Sequence, residues 1–524
     1  MFYNTLHMLT FIHRLPHYGA AALALLALQT SGLAQKPAKR ATVAVSSPTA
    51  VASPEEKLTK AELENHLRFI ASDELQGRRT GSAGNMVAAR YLAEQFRMMG
   101  LKPAGGDNSY YQQVDLQLSK PVTSGTIRVG TDTLSVGKQF VVMAGPATDK
   151  TAESVYIGYG LTPDEYAGKD VKGKWVITQV GSAEAKTPRE LIGAMTAKRS
   201  LAIERGALGI IELFAVQTAP WGMVNRFFNS EQLALTPAGE TGKPQLVHVW
   251  VDNGKGQGAA LKDSKAVTIR TSGRMVNSIQ AVNVAGIIEG TDPVLKNEYV
   301  LLTAHFDHIG VGKQGGAPVT ATDTIFNGAR DNGMGTVGLL AAAKALTQQP
   351  AKRSVIIVAL TGEEVGLLGS RFYAEHPLVP LKQTIFDFNV DGAGYNDTSI
   401  ISVIGLERTG AKAEIEQAAR DFGLGVFAEP APEQGLFDRS DNVSLAAKGV
   451  PAPTLSEGFK TFDEELMKNY HSVSDNPDTI DYDYLLRFCQ SYARAARLIA
   501  NRATRPFWIA GDKYEAAGKA LYGQ

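Results

Sequence analysis

Two adjacent glutamates, Glu363 and Glu364, sit in the stretch Ala359–Ser370, "ALTGEEVGLLGS", just past the apolar run "SVIIVAL". Like charges side by side in a partly desolvated crevice repel strongly unless a cation or a shared proton offsets them. Two other apolar runs end in the same residue types. "YVLLTA" leads into His305-Phe306-Asp307-His308, and "IFDFNV" ends at Asp391. "NGARDNGMG" places Asp331 in a Gly-rich turn, and "NYHSVSDNPDTID" places His471 in a loop. One carboxylate at a strand end is ordinarily a helix cap or a surface turn. Five separated places of this kind point instead to a metal centre. Imidazole and carboxylate without thiolate suit Zn²⁺. Two ions about 3.5–4 Å apart can share a carboxylate and activate one water. One glutamate can then bind a cation while its neighbour accepts a proton.

The elements that must position these groups follow from the hydrophobic pattern. From about Val276 apolar strands alternate with helices, which predicts an α/β architecture. Its central sheet is mostly parallel or mixed, flanked by helices, with polar site residues at the strand carboxyl ends. Ahead of it, "TKAELENHLRFIASDEL" carries Leu63, Leu67 and Ile70 at helical spacing. The loop "QGRRTGSAGN" leads to an amphipathic helix stopped by Gly100, with Val87, Tyr91, Leu92 and Phe96 expected toward a core. From about Tyr110 to Gly273 short alternating strands surround one helix, "ELIGAMTAKRSLAIERG". That region contains His248 and Trp221 but no cluster of ligand types, so its plain reading is a binding or shielding module. The single cysteine, Cys489, falls in the helical pattern "YLLRFCQSYARAARLIA" and reads as a packed position, not a nucleophile.

The chain has 524 residues, enough for two or three domains, with 53 basic and 53 acidic side chains. That balance argues against broad attraction to nucleic acid or to an anionic membrane. Residues 1–34 carry Arg14, the apolar run Ala20–Leu28 and small residues at 32 and 34, the pattern of a signal peptide cleaved before Gln35. The run is far shorter than the roughly 20 residues needed to span a bilayer. Export to the periplasm or the medium is therefore expected, with no stable membrane insertion after cleavage. One cysteine allows no intrachain disulfide, so packing or metal must hold the exported chain together. "ARDNGMGTVG" lacks the spacing and the Lys-Ser/Thr ending of a phosphate loop.

Taken together, "HFD", "GARDNGMG", "GEEVGLLGS", "NVD" and "YHSVSDNPDTID" resemble the zinc aminopeptidase family M28. The segments 58–106 and 130–270 resemble the leader and the inserted protease-associated (PA) domain of some members. The resemblance implies a zinc exopeptidase-like (phosphorylase/hydrolase-like) fold and two Zn²⁺ per chain. His305 and Asp391 would hold one ion, Glu364 and His471 the other, and Asp331 would bridge them. Glu363 would be the general base, Asp307 would fix the His305 tautomer through its second ring nitrogen, and Tyr470 would steady the tetrahedral intermediate. A core or stacking role for Tyr470 stands beside that one. His308 is expected to support the site without binding metal. The segment "FDRSDNVSLAAKGVP" carries Asn442 where family members often have histidine. Ser440, Asp441 and Asn442 are the candidate lining of a substrate pocket.

The implied domain order is a signal peptide at 1–34, a disordered leader at 35–56 and a helical part of the catalytic domain at 57–125. The PA domain follows at 126–273, the peptidase domain at 274–504 and a tail at 505–524. The expected partner is a peptide with a free amino terminus. A carboxypeptidase or dipeptidase is the alternative within the enzyme class, with Arg330, Arg371, Arg408 or Arg439 receiving a substrate carboxylate. A non-catalytic peptide-binding protein is the alternative outside it.

Overall fold

The computed structural model describes residues 52–184, 188–216, 220–236, 246–256, 258–312 and 319–523. The expected signal peptide at 1–34 and most of the expected leader lie outside these residues. The end of that leader is not disordered. Glu55 is fully buried, accepts from Arg497 Nε at 2.5 Å and offers its carbonyl to Gln490 at 3.2 Å.

The largest part is a mixed sheet covered by helices on both faces. Its strands are β1 (Tyr111–Ser119), β2 (Gln232–Leu235), β3 (Val276–Ile288), β4 (Tyr299–His305) and β5 (Ser354–Leu360), then β6 (Thr384–Val390), β7 (Ile400–Ile404), β8 (Gly425–Ala428) and β9 (Thr454–Glu457). They lie in the order β2-β1-β3-β5-β4-β6-β9-β7-β8, and Lys102–Pro103 pairs with β3 besides. The β5-β4-β6-β9 stretch is parallel. Apart from Tyr299 at the start of β4, its strands are buried along their length, which is why they read as continuous apolar runs. Alternate residues serve opposite layers. Val300, Leu302, Ile357 and Ala359 join one core, while Leu301, Ile356, Val358 and Leu360 join another. The first core is closed by α1 (Lys60–Ile70), α2 (Ala83–Met98), α3 (Gly335–Gln348), α5 (Lys412–Asp421) and α6 (Tyr482–Ala500), the second in part by α4 (Leu368–Glu375). Cys489 is buried in α6 as a packing residue.

On α2 the buried stripe is Asn85, Ala88, Ala89, Leu92, Ala93 and Phe96. Val87, expected in the core, is 49% exposed because it falls one position off that stripe. Among the described residues no helix is long and apolar enough to cross a membrane.

Between β1 and β3 lies the β-rich insert. A five-stranded and a four-stranded sheet face each other across a core that includes Ile127, Phe140, Trp175, Ile211, Val249 and Ile269. The insert carries a second helix, Trp221–Phe228, beside the one legible in the sequence. β2 leaves the insert to become the edge strand of the main sheet, antiparallel to β1. Leu233 and Leu235 on that strand pack with Val365, Leu368 and Phe372, just past the paired glutamates. The expected tail is also an integral part of the fold. Trp508 is buried against the second core and donates to Gly449 O at 2.9 Å, and Tyr522 on a last helix donates to Thr384 O at 2.6 Å. Replacing Trp508 with alanine is expected to cost about 3–5 kcal/mol. Thermal unfolding checks this, and an unchanged midpoint would restore the reading of a loose tail.

Candidate metal centre

Sheet order decides what meets at the carboxyl end. β4 lies between β5 and β6, with His305 opposite Leu360 and Ala304 opposite Val390. His305 thus stands between the turn that carries Glu363-Glu364 and the strand end that carries Asp391. The two loop residues arrive from elsewhere. Asp331 precedes α3, and His471 sits in the loop ahead of α6 with φ 51°. Such a left-handed conformation is strained for a non-glycine residue, and strain of this kind concentrates at functional sites.

Asp331 is the hub. Its Oδ1 lies 3.4 Å from His305 Nε2, and its Oδ2 lies 3.1 Å from His471 Nε2. His305 Nε2 is also 3.2 Å from Asp391 Oδ1, and His471 Nε2 is 3.3 Å from Glu364 Oε2. Donor atoms around a tetrahedral zinc with bonds near 2.0–2.1 Å stand about 3.3 Å apart. The histidine-to-carboxylate distances in both sets are close to that spacing, and the imidazole and carboxylate chemistry fits zinc on either side of Asp331. His471 and Asp391 are the most exposed of the five donors, at 26% and 21%, so the centre opens on their side.

His308 also converges with Asp331 and Glu364. Its Nδ1 lies 2.7 Å from Glu364 Oε1, the oxygen turned away from His471. Both His308 ring nitrogens lack a hydrogen-bond partner, but this separation is short for two ligands of one ion, so His471 is the better donor.

The adjacent glutamates are driven apart electrostatically. Burial pushes the Glu363 carboxyl well above its usual range. Burial acts on Glu364 in the same sense, but His471 and His308 hold it well below. Opposite shifts in neighbouring carboxyls mark one as a proton carrier and the other as a permanent anion. Burial would raise Asp331 too, with Glu364 adding to it, yet His305 and His471 keep it at about 2. Burial pulls His305 down, and the carboxylates of Asp331 and Asp391 outweigh it, leaving the imidazole well above its ordinary value.

Asp307 supports the centre differently from the expectation. His305 Nδ1 faces the backbone carbonyl of Asp307 at 3.2 Å, whereas the carboxylate stands off at 3.8 Å. A main-chain carbonyl next to the ring therefore fixes the tautomer. The Asp307 carboxylate accepts instead from Thr80 Oγ1 at 2.7 Å and from the Glu363 amide at 3.2 Å. Tyr470 stacks on His471 with ring centroids 4.2 Å apart and 18° between planes.

The expected pocket residues need correction. Ser440, Asp441 and Asn442 are all buried. Asn442 Nδ2 donates to Phe437 O and Ala452 O, both at 3.1 Å, which braces its own turn. Ser440 Oγ accepts from Asn389 Nδ2 at 2.9 Å, within a network that also holds Thr303, Asp387 and Thr454. Asp441 keeps both oxygens without a hydrogen-bond partner, and burial pushes it up to about 7.

Sequence reasoning missed Asp475, which accepts from the amides of Arg330 and Asp331 at 2.9 and 3.2 Å and pairs with the Arg330 guanidinium at 3.0 Å. The acid-rich stretch "HSVSDNPDTID" was its only signal.

Residues 283–496 match the model of Peptidase family M28. Over 249 residues the chain is 25% identical to the protein named "probable leucine aminopeptidase 2" of Aspergillus oryzae, covering 42% of this chain and 45% of that one. Over 235 residues it is 30% identical to Aminopeptidase YwaD of Bacillus subtilis, covering 44% and 47%. The chain thus spans less than half the length of these relatives. The solved aminopeptidase from Aneurinibacillus sp. strain AM-1 shares the fold, with a TM-score of 0.51 and 20% identity over 87% of this chain and 98% of that one.

Beneath the centre, burial pushes the Asp387 carboxyl up to about 8, and its Oδ2 has no partner. A carboxyl that holds its proton in the folded state but not in the unfolded chain stabilises the fold fully below about pH 4. That contribution is lost as pH rises through about 8. Asp387→Asn is expected to flatten the fall in stability between those limits, measured by denaturant unfolding at several pH values. An identical slope in wild type and variant would contradict this.

Proposed function

We propose that this chain, whose segment 283–496 belongs to peptidase family M28, is an exported zinc aminopeptidase that removes N-terminal residues from peptides. The observation that carries this reading is the two-sided use of Asp331, one oxygen toward His305 and the other toward His471. The M28 match and the aminopeptidase names of the relatives support it.

His305, Asp331 and Asp391 would hold one zinc ion, and Asp331, Glu364 and His471 the other. Such ions, when bound, supply Lewis acidity and ease deprotonation of a water. Glu363 is half-buried beside them, and burial of its carboxyl makes it bind a proton more tightly than an ordinary glutamate. It is the group to accept the proton of the attacking water and return it to the leaving amine. Tyr470, aligned by its stack on His471, is our candidate for donating to the developing oxyanion. Thr80 and the Glu363 amide hold the Asp307 carboxylate, which keeps the Glu363 turn in register with His305. We read the β-rich insert as the PA domain. Its edge strand β2 covers the segment behind the glutamates.

Engagement of two of the four candidate arginines weighs toward an aminopeptidase over a carboxypeptidase. Arg330 is occupied by Asp475 and Thr479, and Arg408 by Asp512. The surplus of carboxylates around Asp331 suits a substrate ammonium.

Glu363→Gln is expected to retain both zinc ions and lose at least ~100-fold in kcat. Glu364→Ala is expected to lose metal, read by elemental analysis. Full turnover in a metal-loaded Glu363→Gln protein would remove Glu363 from the mechanism. The reading as a whole is tested by mass spectrometry of products from one short peptide, free or acetylated at its amino terminus. Stepwise N-terminal loss from the free form only, abolished by chelator and restored by zinc, is expected. Trimming from the carboxyl end, or equal cleavage of the acetylated form, would move the assignment to a carboxypeptidase. No cleavage with zinc restored would favour a binding protein.

A further inference from the structure

Arg78 closes the short turn Asp73–Arg78 between α1 and α2, and it is fully buried. The turn passes through left-handed conformations at Gln76, Gly77 and Arg78. Only glycine fits at 77, where a Cβ would come within 2.4 Å of Gly310 O and 2.6 Å of Phe326 O. The turn is therefore pressed against two loops at once. One follows His305, and the other leads to Asp331.

The guanidinium spans both loops. Its Nε donates to Phe306 O at 2.7 Å, beside His305. Its Nη2 donates to Gly328 O at 2.7 Å, three residues before Asp331. Its Nη1 donates to Asn327 O and, at 3.0 Å, to Ile70 O at the end of α1. A second clasp lies alongside, where Asn327 Nδ2 donates to Ala71 O at 2.9 Å and to Asp73 Oδ1 at 2.8 Å. Gly328 in turn carries His308. A Cβ there would lie 2.6 Å from the imidazole that contacts Glu364.

These four acceptors of Arg78 are all neutral carbonyls. A buried guanidinium held only by dipoles is costly unless opposite charge stands near. Asp307, Asp331, Asp475 and Glu364 supply that charge. Burial pulls the guanidinium down to about 10, which leaves it cationic at neutral pH. A lysine could carry the charge but not the planar fork that reaches four carbonyls.

We infer that Arg78 is a positioning residue of the two-metal centre: its guanidinium ties the main chain beside His305 to the main chain before Asp331. The identity of the ions rests on the peptidase reading above; the clasp itself does not.

The test compares wild type and Arg78→Lys as full chains. In the metal-free proteins, amide exchange across 326–333 is expected to rise in the variant. Zinc affinity, read by chelator competition, is expected to fall at least ~10-fold, the usual size of an outer-shell effect. The visible spectrum of the cobalt-loaded variant is expected to change, and kcat to fall with KM held within about twofold. A merely structural role would lower the melting temperature and leave the cobalt spectrum and zinc affinity alone. A folded Arg78→Lys with wild-type exchange, zinc affinity and cobalt spectrum overturns the inference. Should Arg78→Lys not fold, Asn327→Ala releases the second clasp on the same loop without unpairing a charge. Raised exchange and weaker zinc binding there support the clasp, and wild-type values for both overturn it. A wild-type chain that binds no zinc would sink the peptidase reading, and the metal-free exchange comparison would still decide the role of Arg78.

Discussion

Carboxylate crowding at the ends of neighbouring parallel strands is the constraint on which the rest depends. Asp307, Asp331, Glu363, Glu364 and Asp391 converge on the imidazole of His305 and its neighbours, most of them in low-exposure positions. Repulsion among buried anions is strong where water cannot screen it. A stable fold must supply protons, cations or donors to each. Burial favours the neutral form of Glu363, imidazoles face Asp331 and Glu364, and amides or hydroxyls serve Asp307 and Asp475.

That distribution is also what separates the roles of two residues with the same side chain. Glu363 and Glu364 are one bond apart in the chain, but their side chains meet different surroundings. Glu364 is gripped at both oxygens by histidines. Glu363 is half-buried near other acids, and nearby His305 does not outweigh burial and those acids, so its neutral form is favoured. A permanent anion suits a metal ligand, and a group that readily holds a proton suits transfer to an amine.

Elements remote in sequence hold the centre in shape. The turn between α1 and α2 brings Arg78 and Thr80 beneath His305 and Asp331. The insert lends β2 to the sheet edge and covers the segment behind the glutamates. The last residues pack Trp508 into the core under β5. The site is thus assembled from nearly the whole described chain, although most of its donors lie between His305 and His471.

The alternation of apolar runs and helices, and the acids and histidines that end those runs, were legible because period and residue type are local properties. The α/β class and the location at strand carboxyl ends follow from them, whereas the choice of His305, Asp331, Glu364, Asp391 and His471 as candidate donors came from the resemblance to family M28. Their convergence is a tertiary fact. Strand order β5-β4-β6 put Glu363-Glu364 and Asp391 on either side of His305, and no spacing along the chain encodes that order. The Asp307 contact was misplaced because the carbonyl and the carboxylate of one residue compete for the same ring nitrogen, and only backbone direction chooses between them. Ser440 and Asn442 looked like pocket residues because sequence shows polarity and not the buried carbonyls or amides that satisfy it. The sequence by itself determined which chemistry was available, since side-chain type sets donor and charge. The tertiary structure decided which glutamate keeps its proton and which residues grip the loops, since burial and distance exist only once the chain has folded.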